Sequence, residues 1–93
     1  MHTSSKQVGW KYGEHKLDYP ELNSYLEYVD KIYNVFENPD MIILDEVNSE
    51  YYYIQGEDLL RITTNGDFVS LYPGAGSNRV TNALDTGGLI WEK

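Results

Sequence analysis

Apolar positions in the first half of the chain follow a helical rhythm. Leu22, Leu26, Val29, Ile32, Tyr33 and Phe36 recur at steps of three and four, while Glu27, Asp30, Lys31 and Glu37 occupy the opposite side. Ser24 and Glu27 have capping-box spacing at the start of this pattern. Asn38-Pro39 stops it, because the residue before proline avoids helical ψ. The spacing predicts a helix over residues 24–37.

The rhythm then shortens. Met41 to Val47 is an apolar run too short for an ordinary helix and reads as a strand. Tyr51 to Gln55, Leu59 to Thr63 and Phe68 to Tyr72 are rich in aromatic and β-branched residues. Short polar turns separate them, so the four form an antiparallel meander. Asn65-Gly66 suits a two-residue type I′ turn. On the last strand Phe68, Ser70 and Tyr72 are expected on one face, with Val69 and Leu71 on the other.

Pro73-Gly74-Ala75-Gly76 matches no phosphate-loop motif and reads as a chain reversal. Ser77 then caps a short helix through about Leu84, burying Val80, Ala83 and Leu84. Thr86-Gly87-Gly88 ends it, and Leu89-Ile90-Trp91 is a last short strand. Val8 to Lys16 holds two glycines and two aromatics and reads as an ordered loop. Residues 1–9 read as a flexible lead-in. The expected fold is α+β: an N-terminal helix on a four- to five-stranded antiparallel meander sheet, with a short C-terminal helix. One sheet face is left partly free for a ligand.

Composition narrows the chemistry. The 93 residues make one domain. There is no cysteine, so disulfides and thiolate metal sites are excluded. No apolar run approaches the ~20 residues of a membrane span. The net charge is −8, but it is segregated. Lys6, Lys11 and Lys16 against Glu14 leave residues 1–16 at +2. Residues 17–58 carry eleven acids and only Lys31, a net of −10, and residues 59–93 are neutral. Six of the seven basic residues therefore flank the acidic middle.

His15 is the one histidine outside the extreme N-terminus, and it lies between Glu14 and Lys16. An imidazole can act as acid or base, and a nearby lysine can stabilise phosphate charge. The bland alternative is a solvated loop histidine. One such histidine among scattered acids makes no metal-ligand cluster, and no serine sits in a nucleophile elbow. The nine tyrosines include Tyr51-Tyr52-Tyr53, which alternates faces. Exposed rings of this kind stack on bases or line protein interfaces.

Taken together, these pieces resemble a known family. A lysine-flanked histidine precedes the main helix, which ends in Asn38-Pro39-Asp40. The antiparallel sheet follows, with Asn65-Gly66 and then Phe68-Val69-Ser70-Leu71-Tyr72. From Lys11 to Trp91 the chain is similar to colicin D-like tRNA-cleaving toxin domains, within the wider superfamily of barnase, EndoU, colicin and RelE-like ribonucleases. The resemblance implies a metal-independent, cofactor-free ribonuclease. The RNA 2′-hydroxyl attacks its own phosphate to give a 2′,3′-cyclic phosphate. It implies His15 as the proton-transfer residue, Lys11 beside the phosphate, and Ser70 and Tyr72 as its hydrogen-bonding floor. Lys16, Arg61, Thr63, Thr64 and Arg79 are the expected substrate-binding neighbours. The same resemblance implies the C-terminal effector module of a larger, delivered toxin that acts on RNA, chiefly tRNA, in a target cell's cytoplasm. A cognate immunity protein would be its partner. The competing expectation is a non-catalytic acidic interaction module, itself an immunity or inhibitor protein, that binds a basic partner through the −10 segment.

Overall fold

The structure is a computed structural model and describes residues 1–93. Helix α1 (Ser5–His15) and a 3-10 turn (Lys16–Asp18) lead to helix α2 (Tyr25–Glu37). Strands β1 (Met41–Asp45), β2 (Glu50–Gln55), β3 (Asp58–Thr63) and β4 (Phe68–Tyr72) follow as a meander. Helix α3 (Asn78–Asp85) then returns the chain to β5 (Leu89–Glu92), antiparallel to β1. The sheet order is β4-β3-β2-β1-β5. This is the expected α+β architecture: helices on an antiparallel sheet with a short C-terminal helix. No helix is long and apolar enough to cross a membrane.

Two hydrophobic clusters sandwich the sheet. On one face α1 and α2 bury Val8, Tyr28, Ile32 and Val35 against Leu60, Ile62, Phe68 and Leu71. On the other, α3 buries Val80 and Ala83 against Ile43, Tyr52, Ile54 and Leu59. Ser24 caps α2 as expected, accepting from the Glu27 backbone N–H at 3.2 Å. The buried stripe of α2 is rotated from the expected one: Tyr28, Ile32 and Val35 are sealed, whereas Leu26 is 69% exposed. Leu84 of α3 is likewise exposed rather than core.

The N-terminal segment departs from expectation. Residues 5–15 are a helix rather than a loop, and the lead-in is built into the fold. His2 pairs in parallel with Asp67, its N–H donating to the Gly66 carbonyl at 2.6 Å. Ser4 caps α1, accepting from Gln7 N–H at 3.4 Å. Two glycines lower the helix propensity of α1, but tertiary burial of Val8 and the packing of Tyr12 on Tyr28 at 5.5 Å override it.

The β3–β4 hairpin also differs in detail. A type I′ turn needs positive φ at both central residues, but here Gly66 alone has it, at 93°. Gly66 N–H donates to the Thr63 carbonyl at 2.8 Å, and Thr63 N–H donates to the Asp67 carbonyl at 2.8 Å. That is a three-residue loop with a glycine bulge. The register then shifts again: Ile62 faces Phe68, but Arg61 faces Ser70. Val69 is the extra residue of a β-bulge. The bulge turns Phe68 onto the α1/α2 face with Leu71, and leaves Ser70 and Tyr72 on the face of α3. The three residues expected on one face are thereby split.

Helices α1 and α2 close the outer edge of β4. Gln7 Nε2 donates to the Val69 carbonyl at 2.8 Å, and the buried Tyr28 hydroxyl donates to the Leu71 carbonyl at 2.7 Å. An edge strand so covered offers no free ladder to another chain. It also draws the C-terminal end of α1 alongside Ser70 and Tyr72.

Candidate active site

His15 ends α1 and meets β4. Its Nε2 lies 3.4 Å from Ser70 Oγ, and its ring stacks on Tyr72 with centroids 5.0 Å apart and planes inclined by 13°. Its Nδ1 lies 3.0 Å from Asp18 Oδ2. A carboxylate only accepts, so in the neutral imidazole Nδ1 carries the proton and donates to Asp18. The Nε2 lone pair then faces the Ser70 hydroxyl. Asp18 comes from the 3-10 turn three residues after His15, so the orienting carboxylate is supplied locally. Stacking, an oriented tautomer and 16% side-chain exposure hold the ring in one pose. At 3.4 Å the serine contact is long for a hydrogen bond.

The Ser70 row continues across the sheet. Ser70 faces Arg61, which faces Tyr52, so the three share the α3 side. Ser70 itself is only 1% exposed. Arg61 is held by Glu50 in a two-pronged ion pair, Nε to Oε1 at 2.9 Å and Nη2 to Oε2 at 2.9 Å. Burial pulls the Arg61 guanidinium down, but the bonds and charge of Glu50, with the Tyr72 hydroxyl, outweigh it and raise its pKa. Arg79, from the first turn of α3, reaches Glu50 Oε1 at 3.7 Å and donates to the Tyr52 hydroxyl at 3.2 Å. Its pKa is raised, first by the Tyr52 bond. Two arginines thus share one glutamate beside the histidine–serine pair, within a network that also holds the carboxylates of Asp18 and Asp45.

Tyr52 in turn donates to Asp45 Oδ2 at 2.5 Å, and Asp45 also accepts from the Asn48 side chain at 2.7 Å. Burial pushes the Asp45 carboxyl up, yet its hydrogen bonds, led by those from the Asn48 and Tyr52 side chains, prevail and hold it below the usual range. Burial, and then the Asp45 bond, push the Tyr52 phenol up to about 12. An unfolded chain's phenol ionises near 10. A raised folded pKa means stability that is whole below about pH 10 and is lost as pH climbs towards about 12. Denaturant unfolding at stepped alkaline pH should show this fall, and Tyr52→Phe should make it shallower. Tyr19 and Tyr28, also raised by burial, remain in that variant as the residual slope.

The other expected site residues are less closely gathered. Lys11 lies one helical turn before His15, but its Nζ is paired with Glu14 Oε2 at 3.0 Å. Lys16 is exposed on the 3-10 turn. Thr63 Oγ1 accepts from Asp67 N–H at 3.0 Å, and Thr64 N–H donates to the Ser49 carbonyl at 2.9 Å. Both threonines serve the hairpin turn and share no hydrogen bond with the His15 centre. No group of three or more His, Cys, Asp or Glu residues is arranged to hold a metal ion.

Asp18 and Glu50 were not anticipated. Asp18 was legible as the i+3 neighbour of His15, had a helix been recognised there. Glu50 needed the β2–β3 register, which sets it opposite Thr63 and diagonal to Arg61 on one face. Comparison with known proteins adds no relative: no protein-family model, no curated protein and no solved structure matches the chain.

Proposed function

We propose that this chain is a metal-independent endoribonuclease that cleaves RNA by attack of the 2′-hydroxyl on the adjacent phosphate. The observation that carries the reading is the meeting of His15 Nε2, Ser70 and Tyr72, with His15 Nδ1 tied to a carboxylate and two arginines close by. A base with a free lone pair, a hydroxyl donor and fixed positive charge are what phosphoryl transesterification asks of a protein. His15 Nε2 accepts the 2′-hydroxyl proton as the O2′–P bond forms. The P–O5′ bond breaks, and the departing 5′-oxygen takes up a proton from solvent water. Ser70 donates to a phosphate oxygen, while Arg61 and Arg79 balance the charge that builds on phosphorus. The products are a 2′,3′-cyclic phosphate and a 5′-hydroxyl.

Histidine, serine and arginine chemistry supplies these roles without a divalent cation. The choice of tRNA, the setting in a delivered toxin and a cognate immunity protein rest on the resemblance alone. Incubation of total tRNA with the protein in EDTA tests the reading. Fragments ending in cyclic phosphate are expected. Intact tRNA, or equal cleavage by His15→Ala, would reject it.

A further inference from the structure

Glu14 is the only acidic residue of α1, and it stands in the last turn, where the negative end of the helix dipole disfavours a carboxylate. Its pairing with Lys11 runs in the less favourable order for a helix, with the cation nearer the N-terminus. Helix stability therefore gives little reason for a glutamate here. Its place beside the histidine is more telling. Oε2 accepts from Lys11 Nζ at 3.0 Å, and Oε1 lies 4.0 Å from His15 Nε2. Lys11 and His15 are one helical turn apart on the same face, and this carboxylate stands between them. The Lys11 bond and charge hold the Glu14 carboxyl below the usual carboxylate range, so it is ionised at neutral pH. Its side chain is 56% exposed, so it can swing aside without losing its charge. An anion brought to His15 Nε2 and Ser70 must come close to it.

We infer that Glu14 makes this site select phosphate esters by charge, admitting an internal phosphodiester and disfavouring phosphate monoesters. A diester carries one negative charge and a monoester nearly two. The same carboxylate therefore repels the monoester about twice as strongly. Arg61 and Arg79 beyond Ser70 attract both esters, and by themselves would favour the dianion. Asp18 is already committed to Nδ1 on the other side of the ring, at 3.0 Å. Glu14 is the charge nearest Nε2 that opposes the arginines. The inference rests on the ribonuclease reading for where the phosphate sits, but its test reads binding and not cleavage.

Two ligands are to be titrated at about pH 8, where a monoester is fully dianionic: uridine 3′-monophosphate, and a 2′-deoxy dinucleoside phosphate, whose diester has no nucleophile. The NMR signals of the His15 ring report affinity and place the ligand. Glu14→Gln should tighten the diester about threefold, within the worth of an exposed ion pair, and the monoester by about the square of that, tenfold. Glu37→Gln removes the same charge at the exposed end of α2 and should change neither affinity. A merely structural Glu14 would not separate the two esters. Equal gains, no gain, the same gains in Glu37→Gln, or no binding by either protein would overturn the inference. Selective tightening in a protein that cuts no RNA would sink the ribonuclease reading and spare the selection by charge. Cleavage of RNA without selective tightening would do the reverse.

Discussion

Replacing His15 by alanine should slow RNA cleavage by about 10²–10⁴-fold, the usual worth of a positioned general acid–base. Its Nε2 is the one imidazole nitrogen that faces Ser70, 3.4 Å away, with its tautomer set by Asp18. The fall should appear in kcat, because in the proposed mechanism the ring transfers a proton in the transition state and adds little to ground-state binding. Asp18→Asn should produce a smaller loss, since the amide can keep the ring in place while removing the charge that supports an imidazolium. Single-turnover rates for the three proteins provide the check. Stability should hardly change on losing His15, whose ring packs on Tyr72 at the rim and not in either core cluster.

Glu50→Ala should be the most costly change near the site for folding, at about 3 kcal/mol. Its carboxylate is 11% exposed and satisfies Arg61 twice, with Arg79 a further neighbour. Removing it leaves Arg61 without its two-pronged carboxylate partner, while Arg79 keeps its bond to Tyr52. For a domain of this size that corresponds to a melting temperature lower by roughly 15 °C. Arg61→Ala alone should also destabilise, and adding it to Glu50→Ala should cost less than the sum. The coupling in such a cycle is expected at about 2 kcal/mol from denaturant unfolding. Additive losses would mean that the pair is decorative.

Most of the architecture is legible in the residue pattern, because strong signals act locally. The capping box at Ser24, the stop at Pro39 and the dense β-branched and aromatic runs specify α2 and the meander without help from the rest of the chain. Helix α1 is illegible for a physical reason: Gly9 and Gly13 weaken it, and contacts remote in sequence restore it, namely Val8 in the core and Gln7 on Val69. The bulge at Val69 is hidden in the same way. Strict alternation places Phe68 with Ser70 and Tyr72, whereas an extra residue in β4 sends Phe68 to the other face. The fold brings His15 beside Ser70 and Tyr72, more than fifty residues away, a proximity that the family resemblance implied and that residue type alone did not. Asp18 and Glu50, which set the ring and the arginines, emerge only from α1 and from strand register.

The measurement that bears most directly on the proposed chemistry compares an oligoribonucleotide with the same strand made entirely of 2′-deoxynucleotides. Both are incubated with the wild-type protein in EDTA, and the product ends are identified. The RNA should be cut, leaving 2′,3′-cyclic phosphate and 5′-hydroxyl ends, and the DNA should remain whole. Intact RNA, or cleavage of the strand that lacks the 2′-hydroxyl, would contradict the proposed chemistry.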